Sequence, residues 1–595
     1  MGQSPRVAWG LRIFAGILVL IALLISGLRL ALPHLNQWRE PLLTQVRSWT
    51  GVPLDIGMLQ GRWLAAGPQL TLENVTLNLP KLQVQVARVE GRLNLWQSLL
   101  QRRWQFSSLI FSGVRLDSRY PWRASEPAGN DNDRQALRRL DELVFDQLSQ
   151  FELQDSQFRF ITPSGEPLQL TVNRLGWHNG QRRHQAQGSI ALAGGGQNYG
   201  ALDLRFDLYD GVHRLERGQI YLHGEQLDLT PWLTQRGARL SGLQSAQLSV
   251  SAWLTIADNR MQQGLLQLEN GRSLWGQGSD THSLSFRRLQ VQLQRTGDLL
   301  TARVPQLALQ TDQQPWPLSA LQATYQQDQL QIQSSALDLA LISPLLPAAV
   351  PEIPALRVLQ QMQPHGELSA LNLTLPLTKL ENTTLNARFA HVGIRGGEQW
   401  PALTDVTGNL QGSLAAARLQ VRAGPHSVLT YPQQFPEPIT LAGSEVDLQA
   451  TFGEQGWQLR SERVDLRSPY LQFNGRFRLD WPQAQAPWLG ILGGINLNQA
   501  AQAWRYYPRG LMGNALTDYL TPTLQAGHVQ GATLVWSGDP LQFPYQGNDG
   551  VFQVAVPVRQ AVFQFDPNWL PLRDLDLDLL FEDDRLLMHS TQARL

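Results

Sequence analysis

The chain has 595 residues, of which 43% are hydrophobic and only 16% are charged, below the ~25% that is typical of soluble domains. Its 49 basic residues balance its 49 acidic residues, so no net charge draws it to nucleic acid. Cysteine is absent, which excludes cysteine-based metal clusters, disulfides and thiol catalysis.

The N-terminal region carries a long apolar segment over residues 13–32, interrupted only by Arg29 close to its end. About twenty apolar residues are enough for a helix to cross a ~30 Å hydrocarbon core. Because Arg6 and Arg12 precede the segment, the positive-inside rule places residues 1–12 in the cytoplasm. No small-residue cleavage site follows the segment, so we interpret it as an uncleaved transmembrane anchor rather than a signal peptide.

Residues 33–50 show the spacing of a helix that lies at a membrane interface. Their apolar positions are Leu35, Trp38, Leu42, Val46 and Trp49, which fall on one side of a helix. We predict a juxtamembrane helix just outside the bilayer, followed by a region over residues 51–595 on the side of the membrane away from the cytoplasm.

From residue 51 onward, apolar and polar residues alternate in run after run. Period-two alternation places the apolar side chains of a run on one face of a β-strand. The phase slips by one residue between Leu72 and Val75, which predicts a β-bulge near Glu73 and Asn74. The candidates for one shared apolar face are Leu70, Leu72, Val75, Leu77, Leu79, Leu82, Val84, Val86, Leu202, Leu204, Phe206, Leu208, Leu248, Val250, Leu254, Ile256, Leu289, Val291, Leu293, Leu371, Leu373, Leu375, Phe552, Val554, Val556, Leu575, Leu577 and Leu579.

Helical patterns are few after the anchor. They are limited to insertions near residues 134–149, 341–363 and 498–525, where apolar residues recur at helical spacing or proline and capping residues cluster. We therefore predict a mainly β fold of antiparallel strands with a few amphipathic helices.

These helices are too few to cover the apolar face of so many strands, and that face must be buried or used. The strands could close into small barrels or sandwiches. They could instead form an elongated, curled antiparallel sheet with an apolar groove, because a large exposed apolar surface marks a binding surface. Acyl chains would suit such a groove, and the alternation alone leaves both architectures open.

The sequence offers no convincing catalytic or metal site. The nearest histidine pair, His178 and His184, falls in a predicted turn, and the acidic run 582–584 follows a predicted strand. Phosphate-binding loops, nucleophile elbows and zinc-protease motifs are all missing from the sequence. We predict no catalytic residues, no metal, no cofactor and no enzymatic activity.

Several stretches resemble the AsmA-like/TamB-like family of bacterial envelope proteins. They are LISGLRLALPHLNQWR (24–39), GPQLTLENVTL (67–77), LWQSLLQRRWQF (95–106), FITPSGEPLQL (160–170), RRHQAQGSIAL (182–192) and, most specifically, residues 487–572. The resemblance covers essentially the whole chain and is tightest after residue 487.

The resemblance implies an inner-membrane anchor, a periplasmic β-groove with a hydrophobic interior, and transfer of phospholipids between the inner and outer membranes. The implied partners are phospholipids, the inner membrane and, through a C-terminal half, the outer membrane or envelope proteins; nucleic acid is not among them. The long members of the family are about twice the length of this chain, so we expect it to correspond to an N-terminal half. An alternative function is a periplasmic scaffold for outer-membrane assembly that buries its apolar face permanently.

Overall fold

A computed structural model of the chain defines its architecture. The residues that the structure describes are 5–41, 43–44, 54–64, 67–78, 82–101, 106–121, 148–161, 167–180, 182–194, 197–210, 216–230, 233, 242–276, 278, 280–346, 359–379, 382–398, 400–413, 415–453, 455–483, 485–547 and 549–594. The predicted helical insertion at 134–149 lies outside these ranges except for its last two residues.

The N-terminal apolar segment forms a helix, α1 (Pro5–Ala31). The span Phe14–Pro41 is long and apolar enough to cross a membrane; its most apolar 18-residue window has a mean hydropathy of 2.4 and is only 6% buried within the protein. A 3-10 helix, η1 (Leu32–Trp38), follows it. The predicted juxtamembrane helix is therefore 3-10 over much of its described part, and residues 45–50 lie outside the described ranges.

Apart from these helices, the described chain is mainly β and contains 31 strands, which confirms the predicted fold class. It divides into two compact units. The first unit comprises residues 1–238, 245–272 and 290–295, and the second comprises residues 239–244, 273–289 and 296–595.

In the first unit, successive strands pair with their neighbours in the sequence. The strands are β1 (Leu54–Leu64), β2 (Gly67–Asn78), β3 (Leu82–Leu93), β4 (Phe106–Pro121), β5 (Gln150–Ile161), β6 (Pro167–Asn179), β7 (Arg183–Gly194), β8 (Gln197–Tyr209), β9 (Arg217–Asp228), β10 (Leu243–Ala257) and β11 (Arg260–Trp275), with a short helix α2 (Leu95–Gln101) between β3 and β4. Asn36 of η1 accepts a hydrogen bond from the Leu59 amide at 3.2 Å, which attaches η1 to β1.

One pairing departs from the predicted antiparallel arrangement. Strands β4 and β5 run parallel, with Phe111 opposite Leu153. A parallel pair needs a crossover connection rather than a tight turn, and 28 residues separate the two strands. A strand shows the same period-two alternation whether its partner runs parallel or antiparallel to it. The parallel pairing of β4 and β5 therefore left no signal in the periodicity.

The second unit continues the same local pairing. The strands that lie wholly or mainly in it are β12 (His282–Thr296, with residues 290–295 in the first unit), β13 (Leu299–Leu307), β14 (Gln310–Thr311), β15 (Gln314–Pro315), β16 (Ser319–Gln326), β17 (Gln329–Asp338), β18 (His365–Pro376), β19 (Thr384–Ile394), β20 (Ala402–Ser413), β21 (Ala416–Ala423), β22 (Val428–Thr430), β23 (Ile439–Thr440), β24 (Glu445–Gly453), β25 (Gly456–Arg467), β26 (Leu471–Pro482), β27 (Trp488–Leu497), β28 (Leu524–Gly538), β29 (Val551–Phe563), β30 (Leu572–Glu582) and β31 (Arg585–Arg594).

The helices among its described residues are short and few. They are α3 (Leu339–Ile342), the 3-10 helix η2 (Ala500–Tyr506), α4 (Arg509–Met512), α5 (Asn514–Thr523) and the 3-10 helix η3 (Pro540–Gln542). Asp338 caps α3 by accepting a hydrogen bond from the Ala340 amide at 2.8 Å. The predicted helical insertion 498–525 thus contains three short helices, η2, α4 and α5.

The turns explain why the strands return so regularly. Two-residue turns at Asp312–Gln313 and Gln327–Asp328 place both residues at positive φ, the geometry that matches the twist of paired strands. Asn74, at the predicted bulge, also has a positive φ of 53°. The pairing of β2 with β3 nevertheless keeps the same register on both sides of Asn74. The predicted β-bulge, which would insert an extra residue into β2, is therefore absent, and the phase slip is a local kink that β3 shares.

Candidate functional site

In the first unit, cross-strand register brings apolar residues into one continuous row. Residues that are directly opposite each other in paired strands lie on the same face of the sheet. The apolar row of the first unit consists of Leu59, Leu72, Val89, Phe111, Leu153, Leu175, Gly188, Leu204, Leu222 and Ala252. Ten consecutive strands therefore contribute an apolar side chain or a glycine at the same level.

The residues one position away from this row on each strand form a second row, which is polar. It consists of Met58, Glu73, Arg88, Ser112, Gln154, Arg174, Ser189, Asp203, His223 and Ser251. Nine of these ten residues are polar, and all ten are exposed or half-buried. The sheet of the first unit thus has one apolar and one polar face, as the alternation predicts.

A concave trough of about 880 Å³ opens on this apolar face. Its lining combines a second in-register apolar row, Phe151, Trp177, Ala186, Phe206, Ile220 and Leu254, with polar residues of the same strands such as Glu152, Gln185, Arg205 and Asp207. The rings of Phe151 and Trp177 stack with centroids 5.6 Å apart, and Trp177 meets Phe206 edge to face at 4.9 Å. This volume is within the range of ligand pockets, and the lining offers both apolar and polar contacts.

A buried polar network holds Trp177 in place. Its indole Nε1–H donates to Asn179 Oδ1 at 2.7 Å, and Asn179 Nδ2 donates to the Leu148 carbonyl at 2.7 Å. His184 is 1% exposed, with Nδ1 2.7 Å from Asn179 Oδ1 and Nε2 2.9 Å from Asp210 Oδ2. His184 therefore belongs to a packed hydrogen-bond network rather than to the solvated turn that its sequence context predicts.

The second unit repeats the two-row arrangement over twelve strands. Its apolar row consists of Ala302, Ala323, Ile332, Leu373, Leu385, Gly412, Ala417, Ala450, Leu459, Leu479, Leu489 and Gly538. The adjacent polar row consists of Arg303, Gln322, Gln333, Asn372, Asn386, Gln411, Arg418, Gln449, Arg460, Arg478, Gly490 and Ser537.

Most of this apolar row is half-buried. Only Ala450 and Gly538 are buried, and the ten other members keep part of their surface accessible. On the polar row, Arg418 forms an ion pair with Asp447. Hydrogen bonds from Arg418 hold the pKa of the Asp447 carboxyl below its ordinary value. At this level of the described strands, the charged side chains therefore lie on the polar row, and the apolar row keeps part of its surface accessible.

The end of the second unit is closed. A buried cluster there contains Leu497, Ala500, Leu524, Val529, Ala532, Val558, Ala561, Phe563, Leu575, Leu577 and Leu579, with exposures of 0–8%. Ala500 comes from η2, and Ala503 and Tyr506 of the same helix pack against the cluster. Tyr545, which is 2% exposed, accepts a hydrogen bond from Trp536 Nε1 at 2.7 Å, so the loop after β28 also packs down.

The predicted face residues fall into three groups. Nineteen are half-buried: Leu70, Leu72, Val84, Val86, Leu202, Leu204, Phe206, Leu248, Val250, Leu254, Ile256, Val291, Leu293, Leu371, Leu373, Leu375, Phe552, Val554 and Val556. Seven are buried: Val75, Leu77, Leu208, Leu289, Leu575, Leu577 and Leu579. Leu82 lies in β3, and Leu79 lies outside the described residues. Ligand contact by any of these residues stays a prediction. Leu575, Leu577 and Leu579 are packed in the closed cluster.

Sequence reasoning missed the aromatic lining of the trough. Phe151 and Trp177 each occupy one apolar position in an alternating strand, and only cross-strand register places them side by side. Within the described ranges, no group of three or more histidine, aspartate or glutamate side chains is arranged to hold a metal ion.

These features define a class: a β-protein whose antiparallel sheets present apolar rows across many strands, joined to an N-terminal apolar helix that is long enough to cross a membrane. The chain belongs to the YhdP family, because its residues 2–595 match the family described as "YhdP protein". It is 33% identical to the "Intermembrane phospholipid transporter YhdP" of Escherichia coli (strain K12) over 595 residues.

That alignment covers 98% of this chain and 47% of the relative, so the chain spans about half the length of the curated relative that it matches. The resemblance seen in the sequence to the long, YhdP-type members of the AsmA-like/TamB-like family is thereby confirmed. No solved structure matches the chain.

Proposed function

We propose that the chain is part of a phospholipid transporter that carries acyl chains along its apolar face while the headgroups stay in water. The observation that supports this most directly is the twelve-strand apolar row of the second unit, which is mostly half-buried, while the opposite face of the same strands carries the polar row. A face of this kind offers many similar, shallow contacts. Shallow contacts permit movement along a path, because a ligand must leave each site as readily as it enters. No covalent chemistry is required.

The proposal places the N-terminal helix α1 in the inner membrane and the two β units in the periplasm. Support comes from the length and apolar character of α1 and from the intermembrane phospholipid transport for which the E. coli relative is named. We also propose that contact with the outer membrane or with envelope proteins belongs to a C-terminal half, because the curated relative is about twice as long as this chain.

Site-specific photo-crosslinking tests the proposal. A crosslinking residue at position 291, 375 or 554 should capture phospholipid, whereas one at position 292, 374 or 553 should not, because a shift of one residue moves the side chain to the other face. Val291 and Gln292 offer a good pair, since Val291 is half-buried and Gln292 is exposed. Equal capture at both members of every pair would contradict the proposal.

A charge on the face separates transport from a scaffold function. Val291→Asp should leave the protein folded and stop phospholipid passage, because the carboxylate can stay hydrated on an open face. If the face were permanently buried, the same substitution would instead lower the free energy of unfolding by several kcal/mol. Circular dichroism and lipid extraction of the purified full chain measure the two outcomes. An unfolded variant, or wild-type protein without co-purifying phospholipid, would favour the periplasmic scaffold.

A further inference from the structure

Three aromatic residues form a border along one edge of the apolar face in the second unit. Phe452 is directly opposite Trp457, and Trp457 is directly opposite Trp481. Each lies two residues beyond a member of the apolar row (Ala450, Leu459 and Leu479), so all three share its face. They are 50%, 39% and 42% exposed. Large aromatic side chains thus stand where the apolar face meets water.

The two indoles are arranged as a pair of available hydrogen-bond donors. Their rings stack with centroids 5.6 Å apart and an angle of 4° between the planes. Within the described ranges, neither Nε1–H has a hydrogen-bond partner, whereas the indoles of Trp275, Trp316 and Trp400 each donate to an oxygen at 2.8–3.0 Å. Indole can only donate, so the pair is suited to a ligand that supplies acceptor oxygens.

The charges beside the pair are already matched. Asp480 forms an ion pair with Arg478 at 2.9 Å and accepts a hydrogen bond from Gln458 at 2.6 Å. The border therefore offers neutral donors above an apolar row, rather than an unpaired charge. Tryptophan is favoured at the boundary between acyl chains and water because it combines an apolar ring with one polar N–H.

We infer that Trp457 and Trp481 bind the ester and phosphate oxygens of a glycerophospholipid whose acyl chains lie over Leu459 and Leu479. The inference rests on the proposed function. It adds a binding site for the lipid headgroup at the edge of the apolar face that Trp457 and Trp481 form. Phe452 extends the apolar border beside the pair.

Trp488 is a matched control at the same edge. It is 39% exposed but pairs with Asp480 rather than with an apolar-row residue, so it lies on the polar face. The guanidinium of Arg478 lies 5.9 Å from its ring centroid. Any effect of solvent exposure or of position at the strand end should therefore be equal at Trp481 and Trp488.

Photo-crosslinking of the full chain tests the site. With crosslinkers at 459, 481 and 488, phospholipid should be captured at 459 and 481 but not at 488. Capture at 459 with equal capture at 481 and 488, or with none at 481, would overturn the border site and leave the proposed function standing. Absence of capture at 459, 375 and 291 together would overturn both.

The donor role has its own test. Trp481→Phe keeps the ring and removes the N–H, and should lower retention of dioleoylphosphatidylcholine from vesicles about three- to tenfold, the effect of losing one hydrogen bond. Trp488→Phe should leave retention unchanged, and hexadecane binding should be the same in both variants because an alkane has no acceptor. Unchanged phospholipid retention in the Trp457→Phe and Trp481→Phe double variant would refute the donor role.

Discussion

Within the second unit, the apolar row over strands β16–β26 and the closed cluster in strands β27–β30 carry the same alternation and bury it differently. In the first group, Ile332, Leu373 and Leu459 are half-buried. In the second group, Phe563 and Leu577 are 1% and 2% exposed, because η2 and the neighbouring strands pack over them. The comparison shows that alternation defines which face is apolar, and that the presence of covering elements decides whether the face can receive a ligand.

The largest expected difference between the two groups comes from a buried charge. Leu577→Asp places a carboxylate in the closed cluster and should destabilise the protein by about 4 kcal/mol or more, since it has no partner there. Leu373→Asp places the same group on the half-buried row, where water can reach it, and should cost much less. Urea unfolding monitored by tryptophan fluorescence measures both.

The two variants also differ in their effect on lipid. We expect Leu373→Asp to fold and to lose co-purifying phospholipid. Equal loss of stability in the two variants would show that the row around Leu373 is covered in solution, and the distinction between the two groups of strands would fail.

A smaller effect concerns Tyr507, which directly follows η2. Burial raises the pKa of Tyr507 to about 12, from about 10 in an unfolded chain. The neutral phenol therefore contributes stability that is fully present below pH 10 and is lost as the pH rises through about 12. Ultraviolet titration of the wild type against Tyr507→Phe isolates this step. A difference spectrum that titrates near pH 10 would show that the helical cover is open in solution.

The smallest expected effect lies on the polar face. The Arg418–Asp447 pair is partly exposed, and exposed ion pairs contribute about 0–1 kcal/mol. Because hydrogen bonds from Arg418 lower the pKa of Asp447, the contribution is present at neutral pH and is lost as the pH falls through the folded-state pKa. Arg418→Gln should reduce the free energy of unfolding by less than 1 kcal/mol at pH 7. A larger loss at pH 7, measured by urea unfolding, would mean that the polar face is not solvated.

Much of the fold could be predicted from the sequence because period-two alternation is a local property. The run Leu371, Leu373 and Leu375 lies in β18 on one face, as predicted, and the apolar N-terminal segment forms a helix. The parallel pairing of β4 and β5 could not be predicted, since the direction of a partner strand leaves no trace in either strand's periodicity.

The candidate site was harder to predict for a related reason. Trp457 and Trp481 are separated by 23 intervening residues and become neighbours only through the register of β25 and β26. The closed cluster around Leu575, Leu577 and Leu579 depends on which elements fold over it, and the alternation of β30 is the same with or without a cover.

Apart from two short hairpins, β14–β15 and β22–β23, each strand of the second unit after β13 pairs with the strand that precedes it in the chain. Its contacts are consequently of low contact order, which favours folding by stepwise addition of hairpins to a growing edge. Insertion or deletion of one hairpin would change the length of the apolar row by about 10 Å and leave every side chain on its original face. Gene duplication of hairpins could therefore adjust the reach of such a protein without redesign of its surface.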